Sequence, residues 1–103
     1  MNVNEKNKII SIIHGLKPEL IKSISKQEKI DCIINELDSK IPAVSLFQAA
    51  GDTRLMMAFK LRMEVEPFID ALKQVRDNDQ SFSSTNDCIN ELLKLIETVI
   101  ADE

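Results

Sequence analysis

The sequence predicts an all-α protein, a compact and irregular bundle of five or six short helices with no sheet. Three observations carry that prediction. Apolar residues recur at three- and four-residue spacing from end to end, and no segment alternates with period two over the length of a strand. Two glycines and three prolines (Gly15, Gly51, Pro18, Pro42 and Pro67) fall where those apolar runs stop and start. The 103 residues, 44% of them hydrophobic, are the size of a single domain spanning residues 1–103. A chain of that size buries roughly 65% of its unfolded surface without help from a metal or disulfide. With four Phe and no Tyr or Trp, its core must be aliphatic.

The first helix is expected to start at Asn4 as N-cap, with Glu5 in the favourable first turn. Ile9, Ile12, Ile13 and Leu16 then mark one face, and Gly15 is placed to end the helix in a left-handed C-cap. Pro18 opens a short second helix running to about Ile24, because its missing N–H is not needed in a first turn. Ser25-Lys26-Gln27-Glu28 has the spacing of a capping box for the third helix, whose stripe is Ile30, Ile33, Ile34, Leu37 and Ile41. Cys32 falls on the opposite face. Pro42 is expected to open a fourth helix that runs to about Ala50.

Asp52 reads as the N-cap of the next run, Leu55 to Val65, which is apolar nearly all round the helical wheel. Such a helix belongs at the centre of a bundle, covered on more than one side. Pro67 should then break or sharply kink the chain, since its ring clashes with the carbonyl of Met63. Phe68, Ala71, Leu72 and Val75 continue on one face beyond it. Residues 77–84 are polar and turn-like. Ser84 or Thr85 is the expected cap of a last helix striped by Ile89, Leu92, Leu93, Ile96 and Ile100.

Composition excludes several classes of function. The net charge is −4, whereas direct binding to nucleic acid or to an anionic membrane surface needs clustered cations. No stretch approaches the ~20 apolar residues of a membrane span, and no secretory leader is recognisable. The protein is therefore expected in the cytoplasm, with Cys32 and Cys88 as free thiols.

Chemical motifs fail one by one. His14, the sole histidine, sits at a helix end with no identifiable partner. Asp77-Asn78-Asp79-Gln80-Ser81 begins like a calcium loop, but Phe82 and Cys88 replace the required Gly and Glu. Ser23-x-x-Lys26 lacks the companions of a serine–lysine site. Two glycines make no phosphate cradle, and two cysteines with one histidine close no zinc site. A helix-turn-helix around Gly51 would have to present Leu55, Met56, Met57, Ala58 and Phe59 to base edges, which polar side chains should do. No enzyme activity, cofactor or metal is expected. Met56, Met57 and Met63 are expected to fill gaps in the bundle centre, or else to mould a partner groove.

Acid, by contrast, is unevenly placed. Residues 77–103 carry seven acidic side chains against one base, Lys94, while residues 1–76 hold ten acids and twelve bases. A surface that works by contact is the expectation. The leading form is an inhibitor of the immunity-protein or antitoxin type, whose carboxylates Asp77, Asp79, Asp87, Glu91 and Glu97 cover the cationic active site of a nuclease-type toxin. The alternative is a helical chaperone or assembly adaptor that holds a partner helix, or a homodimeric structural protein formed by self-association.

Overall fold

Four amphipathic stripes close on one another to make one continuous core. The computed structural model describes residues 3–22, 25–78 and 81–101. Within them the order is α1 (Val3–Gly15), α2 (Lys17–Ile21), α3 (Lys26–Lys40), α4 (Leu46–Ala49), α5 (Thr53–Asn78) and α6 (Asp87–Ala101). The described residues contain six helices and no strand, so the all-α prediction holds.

The core is built from Ile9 and Ile13 of α1, Ile30, Ile33, Ile34 and Leu37 of α3, Val65, Phe68, Ile69, Leu72 and Val75 of α5, and Ile89, Leu92, Leu93, Ile96 and Val99 of α6. Leu16, Leu20, Ile41 and Phe82 join it. Cys32 also packs against this core, half-buried, instead of standing on an opposite open face. Both cysteines are free. Lys29 is buried with its stem in the bundle, and its Nζ donates to the Ile100 carbonyl at 3.3 Å. A cation there satisfies an end carbonyl of α6 and suits the negative end of the helix.

Local signals explain most helix boundaries. The Ser25 hydroxyl accepts from the Glu28 N–H at 3.2 Å and caps α3, the hydroxyl half of the expected box. Asp52 caps α5, its Oδ1 accepting from the N–H groups of Arg54 and Leu55 at 3.0 and 3.2 Å. Gly51 adopts φ 80, the left-handed conformation that glycine alone takes at little cost, and so turns α4 into α5.

Other boundaries differ from the expectation. Val3 is already helical, ahead of Asn4, and Gly15 stays inside the last turn of α1 with no left-handed cap. The helix predicted from Pro42 begins only at Leu46. There Ser45 and Gln48 form a reciprocal capping box, which fixes the start more firmly than a proline does. Asn86 caps α6 in place of Ser84 or Thr85, its Oδ1 accepting from the Ile89 N–H at 3.2 Å. The Ser84 hydroxyl instead accepts from the Asn86 N–H, tightening the approach to the helix. α5 extends through Asp77 and Asn78, which were expected in a loop.

Two corrections concern α5 itself. It runs unbroken through Pro67. The proline is exposed while its neighbours Val65, Phe68 and Ile69 are buried, so the missing hydrogen bond falls on the water side and packing on the other side holds the helix together. Nor is Leu55–Val65 the bundle centre, because Val65 alone of that run is buried. The cause is length. α5 has 26 residues, about 39 Å at the helical rise, against 13 to 15 residues for α1, α3 and α6. The molecule measures 45 × 29 × 25 Å, long enough for the N-terminal half of α5 to overhang its partners.

Placing the core at the C-terminal half of α5 has a direct consequence for stability. Phe68→Ala, which empties a fully buried site, should cost about 3–5 kcal/mol in urea unfolding. Phe47→Ala, on the open surface, should stay within about 0.5 kcal/mol of the parent. Similar losses at the two positions would contradict this arrangement.

Candidate interaction surfaces

The acidic side chains at the C-terminal end do not form one patch. Asp77 is exposed in the last turn of α5, and its Oδ1 accepts from the Nε of Arg76 at 2.7 Å. The other arm of Arg76 reaches Asp31 of α3 at 2.5 Å, so this carboxylate belongs to a local three-residue network. The hydrogen bond from Arg76 holds the Asp77 carboxyl below the usual range, with a smaller contribution from the charge of Lys73. Glu91 is ion-paired with Lys6 of α1. Glu97 pairs with Lys94 at 3.6 Å on its own helix.

Asp87 and Glu91 share one face of α6, one turn apart. Glu97 follows six residues after Glu91, which turns it roughly 120° round the helix. It lines a separate shallow groove with Lys26, Phe82 and Lys94. Phe82 is buried beneath Lys26, whose Nζ lies 5.1 Å from the ring centroid. Asp79 lies outside the described residues. Of the carboxylates singled out in the sequence, Asp87 is the described one without a cationic partner among the described residues.

A second surface includes the methionines that the sequence offered, as its alternative, for a partner groove. The capping box at Ser45, the turn at Gly51 and the Asp52 cap hold α4 and the overhanging half of α5 at a fixed corner. Arg62, only 12% exposed, ties this half back to α3: it donates to Asp38 and to the Ile41 carbonyl at 2.8 Å, and to Glu66 at 2.6 Å. Held this way, the corner leaves large apolar side chains in water. Phe47 is 92% exposed, Met57 67%, Leu46 59% and Met63 58%. The methionines expected at the bundle centre are therefore at the surface or, for Met56, half-buried.

Beside them is a cleft of 390 Å³ between α1, the end of α3 and α5. Ile41, Pro42, Met57, Ala58 and Leu61 supply its apolar part, and Glu5, Lys8, Lys40 and Arg54 its polar part. A neighbouring hollow, which shares Met57, is lined by Ala49, Met56 and Lys60 at the α4–α5 corner. The single acid of the larger cleft, Glu5, is bonded to Glu64. That hydrogen bond raises the Glu64 carboxyl above its ordinary range, with burial and the charge of Glu5 adding to it. Periodicity alone could not find this surface, because an apolar face looks the same whether or not another helix covers it.

Chemistry remains sparse. His14 is exposed in the last turn of α1. Among the described residues no three Cys, His, Asp or Glu side chains converge as metal ligands, and no helix is long and apolar enough to cross a membrane. Compared with protein families, with curated proteins and with solved structures, the chain gives no match.

Two outcomes follow from the titrating groups. Asp77 has a depressed folded-state pKa, so its contribution to stability is present above the unfolded value of about 4 and disappears as pH falls through the lower folded value. Asp77→Asn should thus lower the urea midpoint slightly at neutral pH, and the difference between the two proteins should shrink as acid protonates the folded-state carboxyl. The Cys32 thiol is pushed up by burial and then by the charges of Glu19, Glu36 and Asp31. Iodoacetamide, followed by intact mass, should modify it more slowly in the native protein than in the urea-unfolded chain at the same pH.

Proposed function

We propose that this protein is a docking adaptor of the helical chaperone or assembly type, which holds a partner segment on α4 and the overhanging half of α5. The observation that carries this reading is the exposure of Leu46, Phe47 and Met57 about the capped corner between α4 and α5. Large apolar side chains exposed near one another mark an interaction site more often than ones scattered singly do. Exposed methionines suit such a site, since their flexible, polarisable side chains adapt to the contour of a partner. A partner helix presenting apolar anchors at i, i+3, i+4 and i+7 is the matching element.

The neutraliser of a basic toxin is the second reading, supported by Asp87 and the adjacent Glu91 on one open face of α6. Its electrostatic support is narrower than the sequence suggested, because Asp77, Glu91 and Glu97 each already face a cation of this chain. Those pairs are exposed and individually weak, so they narrow the negative field a toxin would meet rather than resist its approach.

One experiment divides the two. The tagged protein purified from its native host should carry a stoichiometric protein partner that is lost in Met57→Glu and retained in Asp87→Lys/Glu91→Lys, with all variants melting as the parent does. Loss in the charge-reversed variant and retention in Met57→Glu would reject the adaptor and install the neutraliser.

A further inference from the structure

Most cations of this chain are engaged by its own groups, and those that are not share a location. Lys6, Lys22, Arg62, Arg76 and Lys94 each face a carboxylate. Among the described residues, Lys8, Arg54, Lys60 and Lys73 do not form an ion pair. Lys73 lies within the field of Asp77. The other three surround one spot: Lys8 and Arg54 line the 390 Å³ cleft, Lys60 lines the adjoining hollow, and Met57 belongs to both. Lys40, also in the cleft, has only a loose contact with Glu36 at 3.9 Å. A protein with net charge −4 thus places Lys8, Arg54 and Lys60 together around an apolar groove.

Resting on the docking reading above, we infer that the docked segment is an acidic amphipathic helix of another protein. Its carboxylates meet Lys8, Arg54 and Lys60, and one of its apolar side chains enters the cleft over Pro42 and Leu61, beside Met57. Charge complementarity selects this occupant. Glu5, the acid of the cleft, is hydrogen-bonded to Glu64 and is outnumbered there by Lys8, Lys40 and Arg54. A helix is the fitting form because the described residues have no strand whose edge a peptide could extend.

Other occupants fit less well. An anionic bilayer is a broad plane that recruits clusters of roughly four to eight basic residues, whereas these cations ring a concave cleft. A second copy would have to offer acidic helices, but Glu91 and Glu97 of α6 are already paired and its apolar face is buried in the core.

The test is a heteronuclear NMR titration of the full chain with two probes: an amphipathic helix made of leucine, alanine and glutamate, and its counterpart with lysine for glutamate. Saturable shifts at Arg54, Met57 and Leu61 are expected with the glutamate peptide only. Affinity should fall about tenfold in Lys8→Glu/Arg54→Glu and more steeply with added salt than for an uncharged helix. Neither side chain makes an internal ion pair, so the variant should melt with the parent, and Arg54→Lys should largely restore binding to the single-site variant Arg54→Glu. Equal or better binding of the lysine peptide at the same residues would overturn the charge assignment and leave the docking face standing. No shift at those residues with either peptide would overturn the site, and the Met57-dependent partner of the preceding experiment would then judge the adaptor separately. Shifts that depend on protein concentration alone, with a dimeric mass, would assign the face to a second copy. Pelleting with phosphatidylglycerol vesicles, lost in the double variant, would assign it to lipid; either result would overturn the proposal.

Discussion

A mismatch in helix length organises this molecule. α1, α3 and α6 are nearly equal, and α5 is close to twice as long. Side chains bury only where another element stands opposite them. The C-terminal half of α5 therefore enters the core, and the N-terminal half continues past it with its apolar residues still in place. Burial ends near Val65, and Pro67 stands two residues, about half a turn, inside that boundary. The short α4 gives this half some cover but leaves its own Leu46 and Phe47 open.

Helix-level features were the most legible in the sequence. The stripes of α3 and α6 bury the residues that periodicity selected, except that Val99 is buried and Ile100 half-buried, and the Ser25 and Asp52 side chains accept the N–H groups of the first turns they precede. These signals are local, and local chemistry suffices to produce them. Proline rules gave less. Pro42 opens no helix because Ser45 and Gln48 offer a better start, and Pro67 breaks none because one lost bond is outweighed by the packing of Phe68, Ile69 and Leu72. Leu55–Val65 misled for a different reason. An all-round apolar wheel tells what a helix could bury, but not whether the rest of the chain reaches far enough to bury it.

The electrostatic surface was the least legible part. The acidic end is plain in the sequence, but its availability depends on partners far away in the chain. Lys6 meets Glu91 across 85 positions, and Arg76 meets Asp31 across 45. Such pairs add little stability at an exposed surface. They nonetheless decide which charges another molecule encounters. Internal pairing engages Glu91 and Glu97 of α6 but leaves Lys8, Arg54 and Lys60 near Met57 without ion pairs among the described residues, and on the docking proposal above this favours an acidic partner.

The corner that presents Phe47 also bears on the cost of association. A flexible loop must be ordered when it binds, and that loss of freedom subtracts from affinity. Here the Ser45–Gln48 box, the left-handed Gly51 and the Asp52 cap already fix the backbone on both sides of the aromatic ring. On the docking proposal, contact area at this corner would convert to binding strength with less entropic loss than the same residues would incur on a mobile loop.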